Sequence, residues 1–65
     1  MLVKFTHGPD GVISARQTGG DMGPQEGTTV VETDDMSPEL RLKALGRFDE
    51  LAEQCRIEDG ALVEV

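Results

Sequence analysis

The sequence predicts an α+β fold: a small antiparallel sheet, in the element order β-β-β-α-β, with one amphipathic helix packed on one face. Three observations carry this expectation. A Pro-Asp-Gly turn separates two short β-forming runs, a Ser-Pro start opens a stretch with apolar residues at helical spacing, and a Gly-rich segment divides the two halves. An antiparallel sheet crossed by a helix is the simplest arrangement that buries the stripe of a single helix.

The chain reads as one domain over 1–65. The first element is a hairpin over 2–17. Leu2 to Thr6 places Val3 and Phe5 on one parity. Gly11 to Gln17 places Val12, Ser14 and Arg16 on one side and Ile13 and Ala15 on the other. In the turn between them Pro9 presets φ, Asp10 tolerates the second central position, and Gly11 supplies a positive φ. The segment 18–27 holds Gly19, Gly20, Gly23, Pro24 and Gly27, a composition that supports neither helix nor strand, so a loop is expected. Thr28 to Thr33 is rich in β-branched residues and predicts the third strand, with adjacent Val30 and Val31 facing opposite sides.

Ser37 as N-cap and Pro38 at the first helical position start a helix expected over 38–55. Asp34, Asp35 and Glu39 complement the positive end of its dipole. Leu40, Ala44, Leu45, Phe48, Leu51, Ala52 and Cys55 fall on one arc, and that arc keeps its phase across Gly46, so the sequence predicts one continuous helix. Gly60 then turns the chain into a last strand over 61–65, with Ala61, Val63 and Val65 on one parity.

Composition narrows the function. The 65 residues include 13 acidic and 6 basic ones, for a net charge of −7. A domain this short hides only about 60% of its unfolded surface. No apolar run reaches the ~18 residues that read as a membrane span, no secretory leader is legible, and one cysteine makes no internal disulfide. A reducing, cytoplasmic setting is expected.

The chain is poor in residues for chemistry. Cys55 lies on the apolar arc and His7 at the mouth of a turn, so a thiol–imidazole pair is not expected. Glu32, Asp34, Asp35 and Glu39 form an acidic knot without the spacing of a calcium loop. The Gly-rich loop leads into a strand and carries Asp21 and Glu26 with no basic residue, unlike a phosphate cradle. No catalytic, cofactor or metal-binding residue is therefore assigned, and no enzyme activity is expected. Direct nucleic-acid binding is disfavoured, because Lys43 and Arg47 stand within reach of Glu39 and Glu50 and no stacking aromatics accompany them.

Pro38-Glu39-Leu40-Arg41-Leu42-Lys43-Ala44-Leu45-Gly46, followed by Glu58-Asp59-Gly60-Ala61-Leu62-Val63-Glu64-Val65, resembles the helix-and-strand half of AbrB-type transition-state regulators and antitoxins. The resemblance implies a DNA-binding regulator. The chain departs from that pattern in two places: Arg47 to Ile57 intrudes where the family has only a few residues, and the N-terminal half lacks the family's basic strand.

Binding and assembly remain. The leading expectation is a small acidic, non-enzymatic protein-binding module, an inhibitor or adaptor of a partner with a basic surface, such as a nucleic-acid-handling protein. Its expected contact residues are Asp34, Asp35, Glu39, Asp49, Glu50 and Glu53. Compact acidic chains of this kind are frequent among phage-encoded inhibitors, which would place it in a host cytoplasm. The alternative is a structural subunit of a phage particle or other assembly. Leu2, Val12 and one of Val30 and Val31 are expected on a sheet face the helix leaves bare, which also suggests a homodimer.

Overall fold

The computed structural model describes residues 1–23 and 25–65; Pro24, part of the expected Gly-rich loop, lies outside them. The fold is α+β. Strands β1 (Leu2–His7), β2 (Ile13–Gln17) and β3 (Thr28–Glu32) are followed by a 3-10 turn at Thr33–Asp35. Helices α1 (Pro38–Gly46) and α2 (Phe48–Gln54) come next, and β4 (Cys55–Glu58) and β5 (Ala61–Glu64) close the chain. The first three strands make an antiparallel sheet in the order β2-β1-β3, and β4 and β5 make a separate antiparallel hairpin.

The β1–β2 turn forms as its residues dictate. The Gly11 amide donates to the Gly8 carbonyl at 3.0 Å, and the Val12 amide donates to the Asp10 carboxylate at 3.1 Å. Beyond the turn the strand register slips. Thr6 faces Ala15 but His7 faces Ile13, so Ser14 is an extra residue in β2. A bulge of this kind reverses the parity of the residues beyond it. Ile13 and Arg16 therefore share the helix side of the sheet, which corrects the strict alternation expected from sequence.

The helix differs from the single element expected over 38–55. Its start is as predicted, with the Leu40 amide donating to the Ser37 hydroxyl at 3.2 Å and Pro38 in the first turn. It then breaks at Arg47, whose backbone (φ −135°, ψ 58°) is not helical. In an unbroken helix the Phe48 amide would bond the Ala44 carbonyl. That carbonyl instead accepts from the Arg16 guanidinium at 2.5 Å, and the same guanidinium sits 5.8 Å from the centre of the Phe48 ring. The sheet thus caps the last turn of α1 from outside, and the chain restarts as α2 at Phe48.

Cys55 also changes element. It begins β4 with extended backbone (φ −129°, ψ 159°) instead of ending a helix. Along β4, Cys55 and Ile57 are buried while Arg56 and Glu58 are more exposed, the period-two pattern of a strand. Asp59 and Gly60 both take positive φ, 52° and 77°, the two-residue turn that suits a tight hairpin. The expected four-stranded sheet is accordingly a three-stranded sheet plus a hairpin. A single bridge between Val12 and Arg56 joins the two.

The core is one cluster: Val3 and Phe5 from β1, Ile13 from β2, Met36, Ala44 from α1, Leu51 from α2, and Cys55 and Ile57 from β4. The opposite face of the sheet is not bare. Lys4 lies on it and is only 2% exposed, because the loop after β2 folds back over it. The Lys4 ammonium donates to the Asp21 carbonyl at 2.8 Å, and its cross-strand neighbour Gln17 donates to the same carbonyl at 2.8 Å. Leu2 and Val12 remain exposed, as expected.

Candidate protein-binding surface

The electrostatic surface follows from where the cations go. Of the 6 basic side chains, four end on main-chain carbonyls. Lys4 donates to Asp21, Arg16 to Ala44, Arg41 to Thr33 at 3.2 Å, and Arg56 to Cys55 and Ala52. Lys43 is held by Glu39 at 3.3 Å and by the Gln54 amide oxygen at 2.7 Å. The carboxylates are not compensated in return. Among the described residues the ion pairs are Lys43–Glu39 and the N-terminal ammonium with Glu32 at 3.0 Å. The expected neutralisation of Lys43 by Glu39 forms; the corresponding pair of Arg47 with Glu50 is not among the ion pairs. Five of the six basic side chains thus hold parts of the fold together, while Arg47 and most of the carboxylates are exposed.

Asp34, Asp35, Glu39, Asp49, Glu50 and Glu53 are all exposed. The fold divides them into two groups. Asp34, Asp35 and Glu39 surround the start of α1, while Asp49, Glu50 and Glu53 lie on α2. Only some border concave surface. Asp35 lines a groove of about 380 Å³ between β3, the start of α1 and β5, together with Glu32, Val31, Met36, Leu40 and Leu62. Asp49 and Glu50 line a shallower cleft of about 350 Å³ with Arg16, Arg47 and Phe48. Asp34, Glu39 and Glu53 line neither.

Sequence reasoning placed Glu32 in the acidic knot but not among the expected contact residues, and it missed the groove that Glu32 lines. The adjacency of Val30 and Val31 marks a strand, but no sequence signal shows that β3 lies at a sheet edge, or that β5 belongs to a second sheet and comes to lie against it.

The two groups considered for nucleophilic chemistry sit apart in kind. Cys55 is fully buried in the core, and its thiol is pushed above its ordinary value by burial first and by the Glu64 carboxylate second. Lys43 and Arg56 oppose that shift. His7 is part-buried beside the β1–β2 turn, with Nδ1 3.0 Å from the Gly8 carbonyl and Nε2 2.9 Å from the Thr29 hydroxyl. A ring that donates from Nδ1 accepts the Thr29 proton at Nε2, so both nitrogens are occupied. Among the described residues no group of three or more His, Cys, Asp or Glu side chains is placed to hold a metal ion. No helix among them is long and apolar enough to cross a membrane.

No protein-family model, curated protein or solved structure matches the chain.

Proposed function

We propose that the chain is a small, non-enzymatic protein-binding module, an inhibitor or adaptor that presents an acidic surface to a basic partner protein. The observation that carries this reading is the division of charge. Five of the six basic side chains are spent on carbonyls or on Glu39 and among the described residues only Arg47 is left over, whereas the six expected contact carboxylates all face solvent. A net charge of −7 on 65 residues with so little internal pairing projects a field that draws in and orients a basic surface. The same placement disfavours direct nucleic-acid binding, because cations held on main-chain carbonyls make a poor phosphate footprint.

The α2 trio tests the reading. The tagged chain is used to capture partners from lysate at low salt, and the captured protein is then purified and titrated. The double variant Glu50→Lys, Glu53→Lys changes solvent-facing groups only. The expected result is weaker binding by tenfold or more and a shallower salt dependence. Unchanged affinity and unchanged salt dependence would reject an acidic contact surface on α2.

Assembly into a larger particle is the second reading. Leu42 and Leu45 favour it: they are 60% and 38% exposed on α1, a costly display for a helix with nothing against it. A chain that stays monomeric at millimolar concentration would count against that reading.

A further inference from the structure

The strands trace a path that does not close. In space they run β3-β1-β2, cross the Val12–Arg56 bridge, and continue β4-β5. The two end strands, β3 and β5, then meet again on either side of the 380 Å³ groove. We propose that this seam takes an extended segment of the partner protein, with alternating basic and apolar side chains, added as a strand to the free edge of β3. This rests on the protein-binding reading and gives it a place and a shape.

The hydrogen-bond phase of β3 supplies the first argument. The Thr33 amide donates to the Met1 carbonyl at 2.8 Å, and the His7 amide donates to the Gly27 carbonyl at 2.9 Å. Antiparallel ladders alternate, so odd-numbered residues of β3 bond inward to β1 and even-numbered ones point away. The N–H and C=O of Val30 and Glu32 therefore face the seam. Phase on the other wall is fixed the same way. The Val65 amide donates to the Gln54 carbonyl at 2.7 Å, which turns the backbone groups of Leu62 and Glu64 outward from β5. Unpaired edges of this kind are templates for another strand.

The lining supplies the second argument. The groove floor is apolar, built by Val31, Met36, Leu40 and Leu62, and its rim carries Glu32 and Asp35. Glu32 already holds one cation, the N-terminal ammonium at 3.0 Å. A strand side chain reaching the floor must be apolar, and its neighbours, which point the other way, meet carboxylates. A second copy of this chain fits poorly, because it would bring Glu32 and a charge of −7 against the same rim, and like charges across a strand pair are destabilising. A helix would fill the floor but leave the edge groups of Val30 and Glu32 unpaired.

The probe is an end-blocked heptapeptide of alternating lysine and valine, titrated into the full chain labelled with nitrogen-15. The expected result is saturable binding and slowed amide exchange at Val30 and Glu32, with the α2 amides unmoved. N-methylation of the peptide on its pairing edge is expected to weaken binding about tenfold or more, since it removes the main-chain bonds on which strand addition depends. Val30→Pro removes an outward N–H that the β1–β3 ladder does not use, a position where an edge strand tolerates proline. It is expected to weaken binding to a similar extent. Asp35→Lys, which touches no backbone bond, is expected to weaken the lysine peptide and to favour a glutamate-valine counterpart.

Lack of saturable binding overturns the proposal, as does equal affinity for the N-methylated peptide. Binding that moves α2 amides and spares Val30 and Glu32 also overturns it, while leaving the acidic-surface reading intact. Protection of the same two amides in the free chain, growing with its own concentration, would assign the seam to a second copy instead.

Discussion

Gly11 and Ile57 are locked together across the join between the two sheets. The Ile57 amide donates to the Gly11 carbonyl at 3.0 Å, and the Ile57 carbonyl oxygen occupies the space where a side chain on Gly11 would begin. Gly11 also sits at φ +84°. One residue therefore finishes the first turn and lets β4 come close enough to bridge at Val12–Arg56.

Gly11→Ala should be strongly destabilising, because the methyl group meets a backbone atom that cannot move aside and the conformation disfavours any side chain. The expected loss is about 2–3 kcal/mol. Gly46→Ala is its control. Gly46 is the last residue of α1, and a methyl group there meets nothing within 4 Å. It should gain about 0.5–1 kcal/mol. Urea unfolding of both variants checks the pair, and a similar loss at the two glycines would refute the close-approach account.

Arg16 is expected to hold the helix break. Its removal takes away a charged hydrogen bond to Ala44 and a contact with the Phe48 ring, both partly exposed. Arg16→Ala should cost about 1–2 kcal/mol. The freed Ala44 carbonyl becomes available to the Phe48 amide, so the backbone carbon shifts of Arg47 should move toward helical values. Shifts that stay put would assign the break to Gly46 rather than to the guanidinium.

That break shows where sequence reading stops. Several local signals were legible: Pro9-Asp10-Gly11 made its turn, Ser37-Pro38 started its helix, and β1, β2 and β3 fell where β-branched and alternating residues put them. The α1–α2 break was hidden because the guanidinium that takes up the Ala44 carbonyl belongs to Arg16, 28 residues from Ala44. The Cys55 strand was misread for a different reason. Leu51 and Cys55 are spaced for a helix face, while Cys55 and Ile57 are spaced for a strand face, and the sequence satisfies both. The Asp59-Gly60 pair, with alternating residues on either side, was the signal that favours the hairpin. Of the candidate surface, the exposure of Asp49, Glu50 and Glu53 was legible from their position off the apolar arc, and that of Asp34, Asp35 and Glu39 from their place at the start of the helix. The groove was not, because it exists only where β3 and β5 meet.

Lys4 and Gln17 should act as redundant anchors of the loop that follows β2. Both donate to the Asp21 carbonyl, so losing one leaves that acceptor satisfied. Lys4→Met replaces a buried cation with an apolar chain of similar length, a change that is often neutral or stabilising. Neither Lys4→Met nor Gln17→Ala alone should free the loop. The double variant should speed exchange of the Gly23 amide, which rests on the Asp21 carboxylate at 2.8 Å. Fast exchange in Lys4→Met alone would show that the ammonium is the sole anchor.

Cys55 should make the fold less stable as pH rises on the alkaline side. Its thiol is fully buried and faces Glu64 across the β4–β5 pair, so the native state resists forming the thiolate and the pKa is raised. The unfolded chain ionises near the ordinary thiol value of about 8.5. Above that value the unfolded state sheds a proton that the native state keeps, so stability falls as pH rises. The contribution is complete below the ordinary thiol pKa and is lost as pH climbs through the raised native one. Cys55→Ala lacks the group and should show a flatter stability curve in that window, on top of a lower overall stability from the lost volume. Denaturant midpoints of both proteins from neutral to strongly alkaline pH make the comparison. Parallel curves would mean that the thiol ionises as readily in the native state as in the unfolded one, and the burial argument would fail. Reaction of native Cys55 with a thiol reagent provides a second check: it should be slow in water and should accelerate in proportion to the unfolded fraction as urea is added.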